Sequence, residues 1–229
     1  MCYLLWPMKH IDWFPLALSF KVALIATALV LIVGVALAWL LARRRFFGRE
    51  LLDSIITLPL VLPPTVLGYY LLVLLSTNSP IGRALKATTG WQIVFTWQGA
   101  VLAAAIGALP LVVKSSRAAI QTVNVQLEDA ARTFGKSEWQ IFWRITLPLS
   151  SRGIIAAAML AFARSLGDFG ATLMVAGNIP GKTQTAAIAI YDASQSGRDD
   201  DAMTLVIILS VVVLTLIYAT NKIVGRSAI

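Results

Sequence analysis

Five long apolar runs separated by short polar stretches organise the chain: roughly Leu16–Ala42, Ile55–Ser76, Phe95–Val113, Gly153–Ala176 and Met203–Thr220. Each approaches the ~20 predominantly apolar residues that cross a bilayer. Lipid offers no partner to a bare N–H or C=O, so continuous runs of this kind must be helices. Short strands of alternating polarity, the mark of a membrane barrel, are absent from the sequence. The pattern predicts an all-α integral membrane protein with about five transmembrane helices. One membrane domain covers residues 16–220, between an N-terminal segment 1–15 and a tail 221–229. Within it, the polar stretch 124–149 separates the third run from the fourth. Pro59, the pair Pro63–Pro64 and Pro110 fall inside runs, where each removes a helix hydrogen bond and predicts a kink or a broken helix. The polar segment Gly177–Ala202, which ends in Asp199, Asp200 and Asp201, reads as a solvated loop. The two halves of the chain show no repeat, so any two-fold symmetry would come from a second subunit.

Composition strengthens the membrane reading. Of 229 residues 58% are hydrophobic and 13% charged, against about 25% charged in an ordinary soluble domain. The first run is too long for the core of a signal peptide and is expected to stay in the mature protein. Trp6 and Trp13 suit the membrane–water interface, and the lone Cys2 cannot form an internal disulfide. The net charge of +8 is unevenly spread. Arg43, Arg44, Arg45, Arg49, Lys114, Arg117, Arg132, Lys136, Arg144, Arg152, Lys222 and Arg226 share one side if the runs alternate. Lys9, Lys21, Arg83, Lys86, Lys182 and Arg198 fall on the other. Cytoplasmic loops carry the excess of Lys and Arg, so the topology is N-out and C-in. The charge is thereby accounted for without nucleic acid as a partner.

The stretch "LEDAARTFGKSEWQIFWRITLPL", Leu127–Leu149, then lies in the cytoplasm. Asn124 is placed to cap a first short helix, and Gly135 to end it in the left-handed conformation. Ser137 and Gln140 form a Ser-x-x-Gln capping box for a second helix, expected to stop near Pro148. In that helix Trp139, Phe142, Trp143 and Thr146 recur at helical spacing, while Ile141 and Ile145 occupy another face. It is apolar on too many sides for free solvent, so part of it requires a partner protein.

The same stretch resembles the coupling loop of bacterial and archaeal importer permeases of the ATP-binding cassette class. Their pattern is Glu-Ala-Ala, three residues, Gly, nine residues, Ile-x-Leu-Pro. Here Asp129-Ala130-Ala131 holds the place of the first triplet, followed by Gly135 and then Ile145-Thr146-Leu147-Pro148. Asp129 replaces the glutamate, and Glu128 stands one position earlier. "LPLVLPPTVLGYYLL", Leu58–Leu72, and "FARSLGDFGATLMVAGNIPGKTQT", Phe162–Thr185, resemble the molybdate branch, with tungstate and sulfate permeases as near relatives. The resemblance runs from about Leu16 to the C-terminus, with five spans rather than the six of some members. It implies a permease of the bacterial cytoplasmic (inner) membrane whose loop docks in a groove of an ATPase subunit. Asp129, Ala130, Ala131, Phe134, Gly135, Ile145, Leu147 and Pro148 would make that contact. It further implies a homodimer of this chain, two ATPase copies carrying ATP and Mg, and an extracytoplasmic molybdate-binding protein, with no cofactor on this chain itself.

Arg164 and Asp168 lie inside the fourth run, each costing about 2.5–3.5 kcal/mol at a helix centre on insertion scales. Their i, i+4 spacing lets them partly neutralise each other, and Gly167 and Gly170 leave room for close approach or a break. With Pro63 and Pro64 they are the candidates for the translocation pathway or its gate; a structural ion pair facing the bundle is the alternative. "GNIPGKT", Gly177–Thr183, lacks the P-loop spacing, with three residues between its glycines where four are required. His10 and Cys2 supply no nucleophile–base pair or metal cluster, so the chain is not expected to be a catalyst. A self-contained carrier or channel using Arg164 and Asp168 would explain those charges but leaves the apolar cytoplasmic helix without a purpose.

Overall fold

The computed structural model describes residues 12–90 and 92–225. Expectations for residues 1–11 and 226–229, among them Cys2, Trp6, Lys9, His10 and Arg226, lie outside the described residues. In chain order the helices are α1 (Phe14–Arg43), α2 (Arg49–Val61), α3 (Pro64–Leu75), α4 (Pro80–Thr89), α5 (Trp97–Gln121), α6 (Val125–Thr133) and α7 (Glu138–Ile141). A π-helical turn (Phe142–Thr146), α8 (Leu147–Leu166), α9 (Gly170–Ala176), α10 (Ala186–Gln195) and α11 (Asp199–Gly225) complete the chain. Among the described residues, four uninterrupted helices are long and apolar enough to span a bilayer: α1, α5, the run Glu138–Leu166 and α11. The pair α2–α3 makes a fifth only if counted as a single broken span.

The centre of the bundle is α5, and its composition explains why. Ala100, Ala103, Ala104 and Ala108 are buried along it, so its backbone admits close neighbours on several sides. On one side Leu18, Val22, Ala26 and Val30 of α1 repeat at i+4 and interlock with Ala104, Ala108 and Val112. Gly34 permits the closest approach there: a Cβ at that position would sit 2.8 Å from Val112 Cγ1. On another side Gly153 of α8 faces Ala119, where an added Cβ would meet the alanine methyl. Pro110 is buried within α5 and does not break it.

Of the kink or broken helix expected at the prolines of the run Ile55–Ser76, the fold has the break: α2 and α3 are bent by 115° at Leu62–Pro63. The steric demand of a proline pushes the preceding residue into extended backbone, and both Leu62 (ψ 140°) and Pro63 (ψ 136°) obey it. The run Gly153–Ala176 is also interrupted, between Leu166 and Gly170. At its other end the second coupling helix does not stop near Pro148: helix continues from Glu138 to Leu166. Pro148 cannot donate to the carbonyl four residues back and its ring crowds it. The π-helical turn just ahead widens the helix, with Leu147 N–H reaching Phe142 O, so the chain passes the proline without a break.

The segment Gly177–Ala202 is not a solvated loop. Thr183, Gln184, Thr185, Ala186 and Ile188 are buried, and α10 packs on α1 and α11. The buried Ser19 Oγ of α1 accepts the first N–H of α10, from Ala186, at 2.7 Å. Thr183 Oγ1 closes the preceding turn, accepting from Ile179 N at 3.1 Å and donating to Gly177 O at 3.3 Å. The aspartates at 199–201 form the first turn of α11, where negative charge complements the helix dipole. Helix α11 continues through residues 221–225, with no breaker before Gly225.

Candidate functional site

Two groups of residues carry the candidate chemistry. The first is the knob between α5 and α8. Its ends are held by local hydrogen bonds: Asn124 Oδ1 accepts from Gln126 N at 2.9 Å. Gly135 (φ 73°) closes α6, with Gly135 N bonded to Arg132 O at 2.9 Å and Lys136 N to Ala131 O at 3.1 Å. That pair of bonds is the Schellman pattern, and the positive φ explains the glycine. Ser137 and Gln140 complete a reciprocal capping box on α7.

The knob is fixed to the bundle by a buried charge cluster. The Glu128 carboxylate is fully buried and meets the Arg43 guanidinium of α1 at 3.0 Å. It also accepts a hydrogen bond from Thr146 Oγ1 in the π-helical turn at 2.7 Å. Arg43 Nη2 donates to Ile120 O at 2.9 Å and Val123 O at 3.1 Å, covering orphan carbonyls near the end of α5. One ion pair thus ties α1, α5, α6 and the π turn together. Phe142 adds an apolar tie, its ring packed edge-on to Trp39 of α1 with centroids 5.6 Å apart.

The motif residues divide between surface and interior. Asp129, Ala130, Phe134, Gly135 and Pro148 are exposed, Ala131, Ile145 and Leu147 half-buried. Among the described residues Asp129 pairs only with Arg132, in its own helix. Phe134 is 82% exposed, Trp139 68% and Trp143 50%. Ala131, Phe134, Gln140, Ile141 and Ile145 border an open cleft of about 220 Å3. Large aromatic surface on a rigid, doubly capped base is suited to receive another protein.

Arg132 clasps the two knob helices, with Nε on Glu138 Oε1 at 2.7 Å. Glu138 lies in the polar stretch ahead of the apolar part of its helix. Its carboxyl is held below the ordinary glutamate value of 4.5, first by the Arg132 hydrogen bonds, with burial opposing and Arg44 assisting. A carboxylate depressed in the folded state stabilises above its unfolded pKa, and that contribution is lost as pH falls through the folded value. The clasp is therefore expected to be intact above about pH 4.5 and to weaken below it. Melting temperature of the purified protein followed through mild acid should show a step that Glu138→Gln lacks; identical profiles would reject the clasp. Glu138 is partly exposed, so the step should be small.

The second group surrounds the break between α8 and α9. Arg164 Nη1 donates to Asp168 Oδ1 at 3.0 Å. Asp168 Oδ2 accepts from Thr172 N at 3.0 Å and from Thr172 Oγ1 at 2.6 Å, so the aspartate also serves the first turn of α9. Its side chain is buried, while that of Arg164 is 30% exposed and lies over Gly107 of α5. Gly170 abuts the other break: a Cβ there would lie 3.1 Å from Pro64 Cβ and 3.2 Å from Thr65 N. Gly68 of α3 continues the contact, since its Cβ would sit 2.8 Å from Ala171 Cα. Arg164, Asp168, Gly170 and Pro64 are therefore brought to one place where two interrupted helices meet. Pro63 is the N-cap of α3 and Gly167 the C-cap of α8; a side chain at Gly167 would meet only Ala163 O, at 3.6 Å.

Sequence reasoning missed Arg43, Thr146 and the structural part played by Glu128. Glu128 was legible only as half of an acidic pair, and nothing local links it to Arg43, 85 residues away.

Four uninterrupted candidate spans, a bent helix pair and a capped knob at one end, among the described residues, define a multi-pass helical membrane protein. Residues 31–226 match the family described as binding-protein-dependent transport system inner membrane component, and the chain belongs to that family. It is 48% identical over 198 residues, 86% of each chain, to the molybdenum transport system permease protein ModB of Escherichia coli K12. It is 34% identical over 195 residues to the sulfate transport system permease protein CysT of the same organism, covering 85% of this chain and 70% of that one. Among solved structures, a bacterial alginate ABC transporter in complex with alginate pentasaccharide-bound periplasmic protein overlaps it with a TM-score of 0.73. That overlap covers 96% of this chain and 80% of the other at 16% identity, a likeness of fold alone.

Proposed function

We propose that the chain is the permease subunit of an ATP-driven importer that moves molybdate across a bacterial cytoplasmic membrane. The observation that carries the reading is the knob: a polar base locked to α1 and α5 beneath an exposed aromatic surface, in a chain closely similar to a molybdenum permease. Two copies form the pathway, N-terminus outside and C-terminus inside. Each knob docks one ATPase subunit through Asp129, Ala130, Ala131, Phe134, Gly135, Ile145, Leu147 and Pro148. ATP and Mg are bound by those subunits, and a binding protein delivers the oxyanion from outside. ATP binding draws the ATPases together, and the rigid knob passes the motion into α1, α5 and α8. Ligand and nucleotide shift the two states only through their different affinities for each.

In the same proposal Arg164, Gly167, Asp168, Gly170, Pro63 and Pro64 form the pathway or its gate. Discontinuous helices supply polar backbone inside a membrane where it is shielded by protein or lines a water-filled cavity. Arg164 offers charge to an oxyanion, and Asp168 keeps that attraction moderate.

The test is uptake of labelled molybdate into liposomes holding this chain with its ATPase and binding protein. Uptake should require ATP on the cytoplasmic face and be blocked by tungstate but not by excess sulfate. Block by sulfate would move the substrate within the class. Uptake without ATP or the ATPase would overturn the coupling assignment in favour of a carrier.

A further inference from the structure

The elbow between α1 and α2, sequence "RRRFFGRE" (Arg43–Glu50), is not absorbed by the transport reading. Its basic residues are mostly committed elsewhere. Arg43 is held by Glu128, Arg44 by Glu138 at 3.6 Å, Arg49 by Leu41 O at 2.7 Å and Arg117, across the cleft, by Asp53 at 3.2 Å. Arg45 is exposed and has no hydrogen bond or ion pair among the described residues. Beside it Phe47 is fully exposed, a costly position in water. From Phe47 an apolar stripe continues down α2 through Leu51, Ile55 and Leu58, each more than half exposed and spaced by four, four and three residues. Arg45, Phe46, Phe47, Arg49, Glu50 and Arg117 border a cleft of about 700 Å3 at the head of that stripe.

We infer that this elbow holds an anionic phospholipid, with its phosphate on Arg45 and an acyl chain along Phe47, Leu51, Ile55 and Leu58. The occupant must be amphiphilic, because a free cation heads an uncovered apolar stripe on a chain that crosses the bilayer. It must also be anionic, because the paired charges cancel and Arg45 with Arg49 outweighs the one remaining acid, Glu50. The same arrangement anchors juxtamembrane basic segments to anionic leaflets. Arg44 links the elbow to the knob through Glu138, so the lipid would sit one ion pair away from the coupling element.

The test uses the full-length chain in nanodiscs, with Phe47→Trp as reporter and the wild-type chain subtracted for its native tryptophans. Brominated phosphatidylcholine and brominated phosphatidylglycerol serve as quenchers in a phosphatidylcholine host. Quenching by both is expected, stronger for phosphatidylglycerol by about five-fold, the enrichment that one cation near a membrane surface supplies. Arg45→Gln should remove the excess and leave the phosphatidylcholine quench. Equal quenching by the two lipids, or none, overturns the inference. So does a preference abolished by inorganic phosphate, which would mark a free-anion site. An emission change that appears only when the ATPase subunit is added would assign the elbow to a protein contact instead.

Discussion

Arg43→Met should release the knob from the bundle and cost about 3–5 kcal/mol, the range for stripping one partner from a buried ion pair. The cause is what remains behind. Glu128 stays fully buried with Thr146 at 2.7 Å and the more distant Arg132 at 3.9 Å as its partners, and the carbonyls of Ile120 and Val123 lose the donor at the end of α5. Glu128→Gln should be milder, about 1–2 kcal/mol, because an amide oxygen still accepts from Arg43 and Thr146. The double change Arg43→Met with Glu128→Leu should cost less than Arg43→Met and Glu128→Leu measured singly and added, since it leaves neither member of the pair buried without the other. Chemical unfolding of the detergent-solubilised chain gives the ordering, and the exposed Arg152, changed to Gln, supplies the surface control. If Arg43→Met costs no more than Arg152→Gln, the anchor is not structural. In the assembled complex the same substitution should let the ATPase turn over without uptake, because a loosened knob transmits no motion.

Asp168→Asn is the second large effect, and it falls on transport. The asparagine oxygen can keep one bond to Thr172, so α9 retains part of its support. What disappears is the negative charge 3.0 Å from Arg164. An unopposed Arg164 should hold an oxyanion too tightly or leave the break in the wrong geometry. Uptake is expected to fall about ten-fold or more, equivalent to about 1.4 kcal/mol in a rate-limiting step. The complex should still assemble with its ATPase on size-exclusion chromatography. Arg164→Ala should act in the same direction, removing the positive site itself. Loss of assembly in both variants would instead make the pair a structural tie between α8 and α9. Asp168 is buried and bonded to Thr172, while Arg164 is 30% exposed and lies over Gly107.

The knob was legible because its determinants are local. Asn124, Gly135, Ser137 and Gln140 act on backbone groups two to five residues away, so neighbour identity alone specifies the turns. The prolines were not legible in the same way. Pro63–Pro64 breaks a helix, Pro110 leaves one continuous, and Pro148 is passed by a π turn. The residue type imposes the same lost hydrogen bond each time; packing around the freed carbonyl decides the outcome. The segment 177–202 misled for a related reason. Its threonines and glutamine look solvent-bound in sequence, yet turn and helix bonds satisfy several of them when Ser19 and the neighbouring apolar cluster receive α10.

The sequence by itself determined that the chain is helical and membrane-embedded, and that a doubly capped apolar knob follows α5, because transfer free energy and capping depend on composition and near neighbours. Only the tertiary structure decided that two spans are interrupted and that their breaks meet at Pro64 and Gly170. It alone joined Arg43 to Glu128 as the root of the knob. Those contacts bridge residues dozens of positions apart, and their partners are chosen by how closely alanine and glycine let the helices approach.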